Sequence, residues 1–398
     1  MAKLNEIFIK SFSGEWGAED LDGTGTPVLR TTNFTNHGVI NYTDVVTRNI
    51  KKKNISDKYL SKGDIIIEKS GGSDKQPVGR VVFFDGEEGK YLFNNFTGLL
   101  RVKNKDEWLP RYVFYALFAN YCVGGTRRYE NRTTGLHNLQ LDAYLYGTEI
   151  KKRNYEIQIE IVNNLDKVSE LIGRFKEQLQ DFDLLIKSRF IEMFGDPNIN
   201  PYHWPMVKNG FVIKSCESGW SGNGVQRARK SGEIAVLKVS AVTKGYFISD
   251  ECKVLDNQEQ IKKYVFPEKG DLLFSRANTR EMVGATAIIY NDYPELILPD
   301  KLWKLKFIDI VNVVYMKHVL SCNHIRSQFS LISNGTSGSM YNVSMSKFKE
   351  IDIPLPPIDL QNKFADFVHQ TEKSKLEVQK SLEELETLKK SLMQQYFG

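Results

Sequence analysis

Long apolar runs, paired cysteines and an excess of one charge are all missing from this chain of 398 residues. No stretch of about 18 apolar residues occurs, so no segment is expected to span a membrane. No basic segment leads into an apolar one near Met1, so no secretory leader is expected. Four cysteines (Cys122, Cys216, Cys252, Cys322) lie scattered with no CxxC, which argues against a disulfide framework or a zinc site and for a reducing cytoplasm. Sequons such as Asn95-Phe96-Thr97 are then coincidental. The balance of 54 basic and 49 acidic residues leaves a net charge of +5, so any nucleic-acid surface must be local. With 41% hydrophobic and 26% charged residues, the composition is that of a globular protein with a substantial core. The length suggests two to four domains.

Catalytic signatures are missing too. There is no GxxxxGK[ST] phosphate loop, no HExxH and no GxSxG. Gly222-Asn223-Gly224 lacks the third glycine of a dinucleotide fingerprint. Asn200-Pro201-Tyr202 only approaches the tetrapeptide of adenine methyltransferases, and no nuclease-like acidic cluster stands out. The six histidines are dispersed. Together these absences point away from an autonomous enzyme and from a resident metal.

What is present is a long internal repeat. Ile9-Lys10-Ser11 with Trp16 returns as Ile213-Lys214-Ser215 with Trp220, an offset of 204. Val28-Leu29-Arg30 returns as Val236-Leu237-Lys238 at offset 208, and Gly63-Asp64 as Gly270-Asp271 at offset 207. Val78-Gly79 matches Val283-Gly284, and Lys187-Ser188 with Phe194-Gly195 matches Lys390-Ser391 with Phe397-Gly398. Ordered pairs at nearly one offset imply two copies of one fold, a pseudo-two-fold repeat and a two-part ligand.

Each copy has a β-rich part and a helical part. Runs such as Asp64-Ile65-Ile66-Ile67, Val81-Val82-Phe83-Phe84, Ala287-Ile288-Ile289-Tyr290 and Leu302-Trp303-Lys304-Leu305 read as strands. Helices are expected near 111–119 and 313–320. Leu165, Val168, Ile172, Phe175, Leu179, Phe182 and Ile186 recur at spacings of 3 and 4, the heptad seam of a coiled coil. Gly195-Asp196-Pro197 stops that helix. The second seam is Val368, Thr371, Lys375, Val378, Leu382, Leu385 and Lys389, with Leu376 and Leu388 beside two of its polar positions. Helices of about 38 residues reach about 57 Å. The expected fold is α+β: a mainly β domain at 1–150, a long helix at 151–197, a second β domain at 198–352 and a second long helix at 353–398, the helices pairing antiparallel.

Four segments carry a resemblance to a known family. They are Leu355-Pro356-Pro357-Ile358-Asp359-Leu360-Gln361, residues 187–197 (Lys187 to Pro197), Lys269-Gly270-Asp271-Leu272-Leu273-Phe274-Ser275-Arg276, and Leu60-Ser61-Lys62-Gly63-Asp64-Ile65-Ile66-Ile67. With the repeat they make the whole chain resemble the specificity subunit of type I restriction–modification systems. The resemblance implies two target recognition domains, each reading half of a gapped site in double-stranded DNA, on a helical spacer. It implies docking of two adenine-methyltransferase subunits and two restriction (translocase–nuclease) subunits. S-adenosylmethionine, ATP and Mg would sit on those partners, and this chain would hold no cofactor and catalyse nothing.

Under that resemblance, DNA contacts are expected where the copies diverge. After the Gly-Asp strand, copy one offers Lys69, Ser70, Ser73 and Lys75, and copy two Arg276, Asn278 and Arg280. Later, copy one offers Arg127, Arg128 and Arg132 around Tyr129, suited to phosphate neutralisation and stacking. Copy two offers Ser337, Ser339 and Tyr341. Arg30 and Lys238 match in charge and are candidates for positioning phosphate, whereas Trp16 and Trp220 match in type and read as scaffold. The competing reading of each loop is a solvated connection whose charges serve solubility. Three readings of the whole chain also stand beside the first: a coiled-coil scaffold with protein-binding β domains, an enzyme with an unrecognised site, and a silent allelic specificity subunit.

Overall fold

The computed structural model describes the chain except Lys10, Thr134, Gly135 and residues 334–340, together with the side chains of Arg132, Thr133, Leu136 and Gln260. The described residues fall into two compact units, 1–176 with 380–398, and 177–379.

In unit 1, a four-stranded antiparallel sheet runs in the order Phe12–Ser13, Thr97–Leu100, Ile65–Glu68, Val81–Phe83. The central Ile65-Ile66-Ile67 run is buried on both faces. Ile65 and Ile67 join the core that includes the helix Pro110–Cys122, while Ile66 joins a second core with Leu29, Phe84 and Phe93. This follows from the two-residue period of a strand, which sends alternate side chains to opposite faces. A second sheet orders Ala18–Glu19, Val46–Asn49, Thr26–Leu29, Leu92–Phe93, its last pair parallel.

Unit 2 has the same strand orders. Ile213–Ser218, Leu302–Phe307, Leu272–Ser275 and Thr286–Ile288 form one sheet. Gly224–Val225, Cys252–Leu255, Ala235–Leu237 and Leu296–Ile297 form the other, again ending in a parallel pair. Leu272 and Phe274 enter one core and Leu273 the other.

The repeated Gly-Asp is an architectural joint. The Asp64 carboxylate accepts the Ser61 amide (2.7 Å) and a two-pronged Arg101 contact (2.8 and 2.7 Å). Asp271 accepts the Glu268 amide (2.7 Å) and lies 3.3 Å from the Lys304 ammonium. Arg101 and Lys304 are themselves matched positions at offset 203. Both carboxylates are buried, so each needs its cation and its turn amide.

The long helices are Tyr155–Phe194 and Ile358–Phe397, 40 residues each, or about 60 Å. The first stops where the Gly195 amide donates to Ile191 O at 2.8 Å. The units divide both helices, whereas the sequence reading treats 151–197 and 353–398 as segments of their own. The reason is packing: Ile161, Val162, Leu165 and Met393 are part of the unit 1 core, and Ile186, Phe190, Phe194, Phe364, Ala365 and Val368 of the unit 2 core. Within unit 1, Asn164 Nδ2 donates to the Tyr396 hydroxyl (3.2 Å) and Lys176 pairs with Glu386 (2.9 Å). Within unit 2, Asp183 pairs with Lys375, and the Phe190 and Phe364 rings lie 5.5 Å apart. In each unit, later residues of one helix meet earlier residues of the other.

Of the expected seam, Leu165, Val168, Ile186, Val368 and Leu382 are buried. Ile172, Phe175, Leu179, Phe182, Val378 and Leu385 are half-buried. Leu376 and Leu388 do not compensate for the polar positions, being 56% and 45% exposed. Thr371 stays buried by donating its hydroxyl to Phe367 O (2.9 Å).

One half-buried histidine, whose Nε2 is out of reach of solvent, makes unit 2 sensitive to acid. His318 stacks on Phe190 (6.0 Å) and meets the Phe364 edge (5.1 Å), and its Nε2 is buried without a partner. Burial, with Lys317 adding, pushes its pKa down to about 3. An unfolded histidine titrates near 6.5, so as pH falls the unfolded chain takes the proton first. Stability is therefore full above about pH 6.5 and falls toward pH 3, by at most about 1.4 kcal/mol per pH unit. Urea unfolding of unit 2 at pH 7 and pH 5 checks this, and His318→Phe is expected to flatten the dependence.

Candidate nucleic-acid interface

The segments singled out on either side of copy one meet in a three-stranded sheet. Ser70–Gly72 pairs with Leu136–Leu139, which forms a hairpin with Glu130–Thr133. The Glu130 carboxylate holds this ribbon to the domain: it accepts the Val78 amide (3.0 Å) and bonds His137 Nδ1 (3.0 Å). The Thr126 hydroxyl donates to Val78 O (2.7 Å). The repeated Val-Gly is explained here. Gly79 has φ +101°, and a Cβ on it would stand 2.7 Å from Thr126 Cγ2. In copy two Gly284 has φ +80°, and a Cβ would stand 2.3 Å from Phe329.

Copy two brings its segments together in the same way. Ala277–Asn278 pairs with Tyr341–Asn342, and the Val343 amide donates to Arg276 O (2.9 Å). The two halves of each proposed contact surface, far apart in sequence, are thus neighbours in the fold.

The side chains differ in availability. Lys75, Arg127, Arg128 and Arg280 are exposed. Arg127 and Arg128 each donate to one main-chain carbonyl, Asp74 O and Gly147 O, both at 3.3 Å. Arg280 Nε donates to Ser330 Oγ (3.2 Å). Ser73 is exposed in a turn closed by its amide on Gln76 O (2.7 Å), while Ser70 is half-buried in the ladder. Lys69 donates to Ser13 Oγ (2.9 Å), and burial with Lys58 nearby lowers its pKa. Arg276 is held by Asp300, through O at 2.8 Å and the carboxylate at 3.8 Å. Asn278 is engaged with Ser275 Oγ (3.3 Å) and the Thr279 amide (2.9 Å).

Some expectations need revision. The Tyr129 ring is no free stacking platform: it meets Tyr144 edge-on (5.5 Å) beside the unit 1 core, and Arg128 lies over it at 4.8 Å. Tyr341 packs against the unit 2 core in the same manner. Arg30 is paired with Asp44 (3.1 Å) and Lys238 with Glu251 (2.7 Å), so either could position phosphate only by giving up a carboxylate. Trp220 packs on the core around Val236, but Trp16 is half-buried under the Arg48 guanidinium at 4.1 Å. Ser337, Ser339 and the Arg132 side chain lie outside the described residues. Sequence reasoning missed Glu130 and His137, because nothing local signals a carboxylate that serves an amide 52 positions away.

Burial raises the pKa of every cysteine thiol, those of Cys216 and Cys322 to about 12, so none is a ready nucleophile. Among the described residues no group of three or more His, Cys, Asp or Glu is placed to hold a metal.

The chain is thus a β-rich unit with a ribbon, repeated once and joined to long helices. Residues 204–387 match the type I restriction modification DNA specificity domain. The type I restriction enzyme EcoEI specificity subunit of Escherichia coli is 24% identical over 208 residues, which is 50% of this chain and 35% of that subunit. The crystal structure of the type I restriction–modification S subunit from M. genitalium superimposes with a TM-score of 0.58 at 15% identity, covering 100% of this chain and 95% of that one. A chain from a study of complex assembly and conformational transition in a type I system gives 0.56 at 15% identity, covering 100% and 96%. The mixed helix–strand fold is shared with both. Residues 204–387 thus carry the match to the type I specificity domain, and the chain is similar to specificity subunits of type I restriction–modification systems.

Proposed function

We propose that this chain is the address reader of a type I complex, each unit reading one half of a bipartite, gapped site in double-stranded DNA. The observation that carries the reading is the ribbon formed in both units by the two segments where the copies diverge, against strand orders that do not diverge. A common frame with dissimilar rims suits recognition of two unlike half-sites. The long helices, each contributing to both units, would pair as an antiparallel coiled coil that sets the unread gap and would carry two methyltransferase subunits, with two restriction subunits joining them. S-adenosylmethionine, ATP and Mg belong to those partners, and the cytoplasm is where the complex would meet DNA.

The test is co-expression with a cognate methyltransferase subunit and sequencing of the methylated adenines. The expected result is one split motif with a fixed gap. Exchanging residues 198–350 for those of a relative should change one half only. In the purified complex, Arg127→Ala with Arg128→Ala should weaken binding across sequences and reduce the slope of log K against log salt by about 0.9 per lost phosphate contact, about 2 in all. An assembled complex that methylates nothing new would favour the silent allele. Unchanged DNA binding in the double variant would favour the protein-binding scaffold.

A further inference from the structure

Unit 1 encloses a cavity of about 870 Å³ among the helix Pro110–Cys122, the loop 35–39 and its own stretches of the long helices. Phe114, Phe118, Ile172 and Met393 give it apolar walls. Its basic groups are not balanced. Arg111 is paired with Asp166 (2.9 Å) and Lys176 with Glu386 (2.9 Å). Lys389 has no ion-pair or hydrogen-bond partner among the described residues. Burial, then Arg111, lowers the pKa of Lys389, and His37, beside Lys176 at 3.5 Å, is lowered by burial and both lysines. A half-buried ammonium with no carboxylate in ion-pair contact is costly, and apolar packing would be the more favourable choice.

The matched positions show that choice being made elsewhere in the same chain. Lys389 corresponds to Ile186, which is buried in the unit 2 core. Gly173 also lines the cavity and corresponds to Leu376. A glycine inside a 40-residue helix is less favourable than alanine. A Cβ on Gly173 would meet nothing within 4 Å, so packing does not demand the glycine. Unit 1 therefore departs from unit 2 at two positions, one that opens the space and one that puts a charge in it.

We propose that this cavity binds a small amphipathic carboxylate, its alkyl or aryl body against the apolar walls and its carboxylate on the Lys389 ammonium. The volume lies within the range of about 300–1,000 Å³ typical of small-molecule sites. Titrating decanoate into the full-length protein, below its micellar concentration, tests this by isothermal calorimetry. One saturable site is expected, with decanol binding about tenfold more weakly or worse for want of the charge. Lys389→Ile should weaken decanoate about tenfold or more, and Gly173→Leu, which fills the space, should remove the site. Both variants carry the residue that unit 2 already uses at the matched position, and thermal melts verify their folding. Absence of a saturable site, equal binding of decanol, or undiminished binding by either variant overturns the proposal.

Discussion

Replacing Gln158 by leucine is expected to destabilise unit 1 by about 3–5 kcal/mol, near the whole stability of many domains. The side chain is fully buried in the first turn of the long helix, and both its N–H donors and its carbonyl oxygen are engaged. The Leu109 amide donates to its Oε1 (2.9 Å), and its Nε2 donates to Glu107 O and Arg153 O (both 2.9 Å). Leucine keeps the volume and leaves three main-chain groups without partners, each costing about 1–3 kcal/mol where water cannot reach. Gln361, at offset 203, does the same in unit 2: it accepts from the Asn312 amide (2.9 Å) and donates to Pro356 O (2.8 Å) and Ile310 O (3.2 Å). Gln361→Leu should therefore damage unit 2 and spare unit 1. Hydrogen exchange resolved by peptide during urea unfolding reads the two units separately, and a loss below about 1 kcal/mol in the matching unit would refute the account.

A comparable loss, about 3–5 kcal/mol, is expected from Arg101→Leu. The substitution leaves the Asp64 carboxylate buried with only the Ser61 amide for company. Arg101→Lys should fall between, because the matched Lys304 serves Asp271 with a single ammonium at 3.3 Å. The double variant Asp64→Leu with Arg101→Leu should recover much of the loss, since a buried ion pair replaced whole by apolar groups is often neutral. A double-mutant cycle on thermal unfolding measures this, and simple additivity of the two single losses would show that the pair is not coupled.

The parts of this fold legible in the sequence are those written locally. Spacings of 3 and 4 from Leu165 to Ile186 announce a helix with one apolar stripe, and Ile65-Ile66-Ile67 announces a strand buried on both faces. The repeat tied the two copies together before any geometry was known. What stayed hidden depends on partners distant in the chain. Nothing local in the sequence marks Arg101 as the partner of Asp64, 37 positions earlier, which it meets only in the fold. Tyr129 among arginines reads as a stacking platform because the sequence does not say that Tyr144 occupies its face. Leu376 and Leu388 look like seam residues by type, yet helical phase turns them to solvent. The contact surface was named in two pieces, and only tertiary structure joins them.

Under the proposed function, that joining would constrain how such a gene acquires a new specificity. Ser70–Gly72 and Leu136–Leu139 lie more than sixty residues apart and share one ladder, clamped through Glu130 to Val78. A crossover between them would pair a strand with an edge from a different parent, and the clamp would face an amide it had not evolved beside. On that reading, inheritance would trade the β domain as a block. Break points belong in stretches where both copies read alike, such as Lys187-Ser188 to Phe194-Gly195.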